Sequence, residues 1–127
     1  MGLPVLVIDG ADFSDFDGFA REFSKLLAGH TWRGNLDAFN DILSGGFGTP
    51  DNGFVLRWRH ADRSRAALGY EATIARLEGL LRTAHPSNHP AIRARIERAR
   101  LSTGPTLFDE LVDIIRDHAD TIALELA

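Results

Sequence analysis

The sequence predicts an α/β fold in which three short parallel strands are packed with helices. Two observations carry this reading. Apolar runs fit for strands lie at about residues 4–8, 54–58 and 121–126. Between them, apolar residues recur at i, i+3, i+4 and i+7, the spacing of a buried helix face. Strands separated by helices favour parallel pairing through right-handed crossovers. The 127 residues, 44% apolar and 25% charged, suit a single domain over 1–127 with a modest core.

The elements follow in order. Residues 5–8 (Val-Leu-Val-Ile) are continuously apolar, as in a strand buried on both faces, and Asp9-Gly10 makes the exit turn. Ser14 is positioned to cap a first helix, with Asp17 completing a weak capping box. Phe16, Phe19, Ala20, Phe23, Leu26 and Leu27 form its apolar stripe, and Gly29 ends it. Asn35 caps a second helix, whose buried stripe is Leu36, Phe39, Ile42 and Leu43 and whose stop is Gly45-Gly46. A loop over 45–53 leads to the second strand, and residues 60–68 suit a short helix.

Residues 69–104 read as an inserted helical hairpin packed on the main domain. Ile74, Leu77, Leu80 and Leu81 share one side of a helix over 70–84, Pro86 and Pro90 break the chain, and Ile92, Ile96 and Ala99 face inward from a helix over 91–101. Thr106 caps a last helix with Leu107, Phe108, Leu111, Ile114 and Ile115 on its core face. Ile122, Leu124 and Leu126 then alternate with Ala123 and Glu125, as in a partly exposed strand.

Charge narrows the function classes. The net charge is −4, but residues 1–60 carry −3, residues 61–104 carry +4 and residues 105–127 carry −5. A field of negative sign repels nucleic acid and steers basic proteins. The absence of cysteine excludes disulfides, thiol catalysis and cysteine metal sites, and suits the cytoplasm. Neither a membrane span nor a secretory leader is expected. His85 and His89 have zinc-like spacing, but Pro86 and Pro90 oppose the helix that would use it, so neither a metal nor a cofactor is expected. The arginines at 93, 95, 98 and 100 could bind anions, pair with the acidic part of the chain or simply solvate the hairpin. With no nucleophile elbow, HExxH motif, catalytic triad or phosphate loop, an enzyme is not expected.

The second helix is the most informative element. Asp37, Asn40, Asp41 and Ser44 line one face at i, i+3, i+4 and i+7. Asp37 near the N-terminus suits the helix dipole. Asp41 lies in the last turn, where the dipole opposes it by about 0.3–1 kcal/mol, and four residues after a like charge, at about 0.2–0.5 kcal/mol. Solvation can absorb both costs; a partner that needs the carboxylate there is the sharper reading.

Gly34-Asn35-Leu36-Asp37-Ala38-Phe39-Asn40-Asp41-Ile42-Leu43 resembles the second helix of the barstar family, intracellular inhibitors of the ribonuclease barnase. Residues 5–10 and 54–59 resemble the family's first and second strands, and residues 107–118 and 122–126 its last helix and strand. The resemblance implies a barstar-like fold and a basic protein partner, a ribonuclease, with no direct contact to nucleic acid. It places Asp41 at the principal inhibitory aspartate, which enters the nuclease active site where substrate phosphate would bind. It further implies contacts from Asn35, Asp37, Ser44, Gly45 and the aromatic Trp32, and matches Asp113 and Asp117 to two glutamates of the last helix. Asn40 stands where the family has an aromatic, Arg33 where it commonly has glycine, and Gly46-Phe47 where it has another aromatic. Two rivals accompany this reading: the same fold binding a basic partner that is not a ribonuclease, and a small enzyme using Asp37 and Asp41 as acid and base.

Overall fold

The computed structural model describes residues 2–127. Its elements are β1 (Val5–Asp9), α1 (Phe16–Ser24), α2 (Leu36–Leu43), β2 (Phe54–Arg59), α3 (Ala61–Ala67), α4 (Tyr70–Thr83), α5 (His89–Arg100), α6 (Leu107–Arg116) and β3 (Ile122–Leu126), with 3-10 turns at Gly10–Asp12 and Pro86–Asn88. No helix among the described residues is long and apolar enough to cross a membrane.

The strands form one parallel sheet in the order β1-β2-β3, with Val5 opposite Val55, Phe54 opposite Ile122 and Trp58 opposite Leu126. This order has a mechanical consequence. Right-handed crossovers that advance in one direction place every connecting helix on the same face. Ile8, Phe54, Leu56, Trp58 and Ile122 are accordingly buried beneath the helices. The opposite face is open: Val5 and Val7 are 45% and 42% exposed, and Arg57 pairs with Glu125 there at 2.8 Å. The expectation that residues 5–8 are buried on both faces is therefore corrected. β1 is an edge strand, and its apolar run is buried on one side only.

The core is strongly aromatic. Trp58 on the central strand is fully buried, lies 5.1 Å from both Phe19 and Phe108 between ring centroids, and donates its indole N–H to Ser64 Oγ at 2.9 Å. Phe19, Phe23, Trp32 and Phe39 continue the cluster beneath α1 and α2. The first helix begins one residue later than expected: Asp15, in extended conformation, accepts from the Gly18 N–H at 2.7 Å, so Asp15 and not Ser14 is the cap. It also ends at Ser24, before Leu26 and Leu27. There the Ser24 hydroxyl bonds Ala20 O and both backbone groups of Trp32, so the chain turns while Leu27 stays buried.

α4 and α5 pack on each other around Leu77, Ile92 and Ile96, with Ile74, Leu80 and Leu81 partly buried beside them. Pro90 does not break α5; it occupies the first turn, where its missing N–H costs nothing. Polar groups tie the pair to α6. Thr73 is buried, donates to Gly69 O and accepts the Leu107 N–H at 2.7 Å. Glu110 receives Arg76 at 3.5 Å and, closer, Arg95. Burial draws the Arg76 guanidinium below its ordinary pKa, and Glu110 counteracts it. α6 itself starts with a full capping box between Thr106 and Asp109.

Two substitutions test this attachment. Thr73→Val keeps the shape but strands the Leu107 N–H, an unsatisfied buried donor worth about 1–3 kcal/mol; urea unfolding should report a loss in that range. Glu110→Gln leaves Arg76 half-compensated. Because the group is partly hydrated, the expected loss is about 1–3 kcal/mol, below the 3–5 kcal/mol typical of fully buried pairs. Arg95→Ala should cost less than Glu110→Gln in the same assay, since Arg76 keeps its carboxylate.

Candidate functional site

The site is built on α2. The Asn35 side chain accepts the Ala38 N–H at 3.0 Å, as a cap should, and its carbonyl accepts the Phe39 N–H at 2.9 Å. That same carbonyl also receives the Trp32 indole N–H at 2.8 Å. Leu36 is half-buried, and Phe39, Ile42 and Leu43 are buried, so the opposite face is held at a fixed height over the core.

Asn35, Asp37, Asn40, Asp41, Ser44 and Gly45 are all exposed. Neither Asp37 nor Asp41 has a cation within 4.0 Å among the described residues. Asp37 is near enough to Arg76 to favour its charged form. The Ser44 hydroxyl turns back to Asn40 O at 3.1 Å, and Gly45 follows with φ +108°, which a side chain would strain. Nothing lies within 4 Å of a Cβ built there, so the positive φ alone demands glycine.

Trp32 requires a correction. It is 3% exposed, with its ring 4.7 Å from Phe39 and 5.8 Å from both Phe16 and Phe23. Its indole therefore cannot serve as a surface contact. It is a core residue that holds the entry to α2 by bonding the cap carbonyl. An aromatic with an N–H, three residues before an asparagine cap, was the available signal.

The structure adds a residue that sequence reasoning missed. His118 follows α6 and donates Nε2–H to Asn40 Oδ1 at 2.8 Å, across 78 positions in sequence. This bond joins the C-terminal end of α6 to the middle of α2. With its oxygen occupied, the Asn40 amide has its N–H groups left to offer. The surface then alternates acceptor, donor and acceptor along Asp37, Asn40 and Asp41. Asp113 and Asp117 are exposed on the last turns of α6, Asp117 as its C-cap, but His118 is the residue that reaches α2.

The electrostatics share one sign. Asp41, Asp113 and Asp117 all lie toward helix C-termini, where the dipole adds partial negative charge. Such a surface suits closely spaced cations. Phe47, 41% exposed beside His30 at 5.3 Å between rings, provides an apolar group beyond α2, and Arg33 stands exposed before it. The histidines of zinc-like spacing are engaged otherwise: His85 with Ser87, and His89 with Ala84 O.

Comparison with known proteins bears on the family of the chain. A family profile described as Barstar (barnase inhibitor) matches residues 3–97. The matched region includes all of β1, α1, α2 and β2, runs through α4 and most of α5, and stops before α6 and β3. No curated protein and no solved structure matches the chain. The profile spans well over half of the 127 residues, and the fold is an α/β structure with a three-stranded parallel sheet; the chain belongs to the barstar family of barnase inhibitors.

Proposed function

We propose that this chain inhibits a barnase-like ribonuclease by setting the carboxylates of α2 against the cations that hold the substrate phosphate. The observation that carries the reading is the exposed, unpaired Asp41 on a short helix fixed from below by Phe39, Ile42 and Leu43. A carboxylate held in place accepts charge-assisted bonds from Arg, Lys or protonated His with the geometry phosphate would use. Asp37 extends the anionic row, Asn35, Ser44 and Gly45 border it, and Asp113 and Asp117 strengthen the field from α6. Trp32 contributes by positioning α2. The role is occlusion of an active site, with no catalysis by this chain, and it belongs in the cytoplasm of the cell that makes the nuclease, as for an antitoxin.

A second reading has its own support. Asn40, bonded to His118, replaces an aromatic contact with a polar one, and Arg33 adds a cation to the approach. Both alter which basic surface fits, so the same fold could serve a basic partner that is not a ribonuclease.

Asp41→Ala separates these readings when measured against barnase-like ribonucleases by inhibition and binding kinetics. Truncating one member of a buried charge pair costs about 2–5 kcal/mol, a range for which barnase–barstar is itself a reference case. That corresponds to a loss of affinity of roughly 30-fold to several thousand-fold, mainly through faster dissociation. The melt of the free variant should change by less than about 0.5 kcal/mol, because the side chain is exposed. Inhibition unaffected by Asp41→Ala would overturn the assigned role, and a basic partner without nuclease activity would favour the second reading. His118→Ala should free the Asn40 rotamer and weaken binding about 2- to 10-fold, equivalent to the roughly 0.5–1.5 kcal/mol needed to immobilise such a side chain. Equal affinity of that variant and the parent chain would show that the Asn40–His118 bond does not prepare the surface.

A further inference from the structure

Beside the acidic helix lies a cleft of opposite sign. It opens between α1 and the segment leading into α2, has a volume of about 480 Å³, and is lined by Asp17, Arg21, Lys25, Thr31, Trp32 and Arg33 among others. Three cations face one carboxylate. Lys25 is shared with Glu22 at 2.6 Å, but Arg21 and Arg33 have no carboxylate within 4.0 Å among the described residues. Both guanidinium-bearing residues line this open cleft, whose lining carries a net positive charge even with Asp17 in it.

The cleft is also rigidly joined to α2. Trp32 forms part of its wall, and both backbone groups of Trp32 are bonded to Ser24 Oγ, at 2.9 and 3.0 Å. The same residue holds the α2 cap through Asn35 O. Arg33 precedes Asp37 by four residues, which even fully extended chain separates by no more than about 14 Å. Cleft and acidic row therefore fit within one protein–protein interface of standard size, roughly 800 Å² on each partner.

We propose that this cleft receives an acidic side chain of the same partner that α2 engages through its aspartates. The inference rests on the proposed function, and it specifies the partner's chemistry: a carboxylate beside the cations that meet Asp37. Guanidinium groups donate to such a carboxylate in bidentate geometry, which gives direction as well as attraction. A nucleic-acid strand suits the cleft less well, because the polyanion would have to pass the aspartates of α2 in a chain of net charge −4. A carboxylate on a basic protein is carried in by the favourable field of that protein. Arg33, the departure from the family's common glycine, thereby becomes a specificity residue: a nuclease lacking the carboxylate would bury Arg33 unpaired.

The test has a part that needs no nuclease. The ¹⁵N-labelled chain is titrated at low ionic strength with a capped Lys-Lys-Glu-Lys-Lys peptide and, separately, with a hexauridylate RNA. Saturable shifts at the Arg21 and Arg33 side chains and the Trp32 indole N–H are expected with the peptide, and are expected to vanish in Arg33→Glu and weaken in Arg33→Ala. Melts of both variants establish that the fold is retained. No shift with the peptide, or tighter binding of the RNA at the same resonances, would overturn the proposal. With a ribonuclease that responds to Asp41→Ala, Arg33→Glu should lower affinity at least about tenfold, and reversing one acidic residue on the nuclease should restore it. Unchanged affinity in Arg33→Glu alongside a large Asp41→Ala effect would overturn the cleft and leave the inhibitory reading standing. Peptide binding with no ribonuclease inhibited would instead remove the inhibitory reading and the shared partner, leaving only a carboxylate site.

Discussion

Phe54, Leu56 and Trp58 project from the central strand into a single layer of helices, and the remaining architecture depends on that one-sided burial. Trp58 contributes the largest side chain, and its N–H is satisfied by Ser64 in the middle of the next helix, so the apolar body is buried without stranding a donor. α1 and α6 reach the same indole through Phe19 and Phe108. A sheet of three strands in sequential order offers one covered face, and α1, α2 and α6 share it. α2 and α6 are consequently brought side by side at the surface, and the bond between Asn40 and His118 is a result of that crowding.

The acidic surface is stable because its costs are local and its support is not. Carboxylates toward the C-termini of α2 and α6 oppose the helix dipoles by tenths of a kcal/mol each. The apolar stripe beneath α2 places Phe39, Ile42 and Leu43 almost wholly out of water, at roughly 1.5–3 kcal/mol for each large side chain. Burial outweighs the dipole cost several-fold, so the exposed face is free to carry charges chosen for another purpose. Water solvates them in the free chain, and a cationic partner would exploit them on binding.

The α4–α5 pair follows a different logic. Its own apolar cluster is small, and its attachment to α6 relies on Thr73 and on Glu110 between two arginines. Such polar attachments are directional and give little gain over hydration, but they penalise misalignment. The pair is thus set at a definite angle, with Arg76 close enough to Asp37 to influence the field at the α2 N-terminus. Electrostatically, the surface of α2 is thereby linked to α4 through Asp37 and Arg76.

The sequence by itself determined what local chemistry controls. Asn35 and Thr106 cap their helices as their side chains require, the stripes of α2 and α6 face the core at the expected spacing, and the three strands stand where the apolar runs lie. Asp37, Asn40, Asp41 and Ser44 share an exposed face because helical periodicity demands it. Tertiary structure alone decided what depends on which surfaces meet. Val5 and Val7 are exposed because the strand order puts all helices on the other face, which an apolar run cannot reveal. Trp32 is buried because three phenylalanines from α1 and one from α2 enclose it. Asn40 meets His118, and Glu110 meets Arg76 and Arg95, across separations of 78, 34 and 15 residues. Pairings of that kind are set by the packing of whole helices on the sheet, and no periodicity within a single element encodes them.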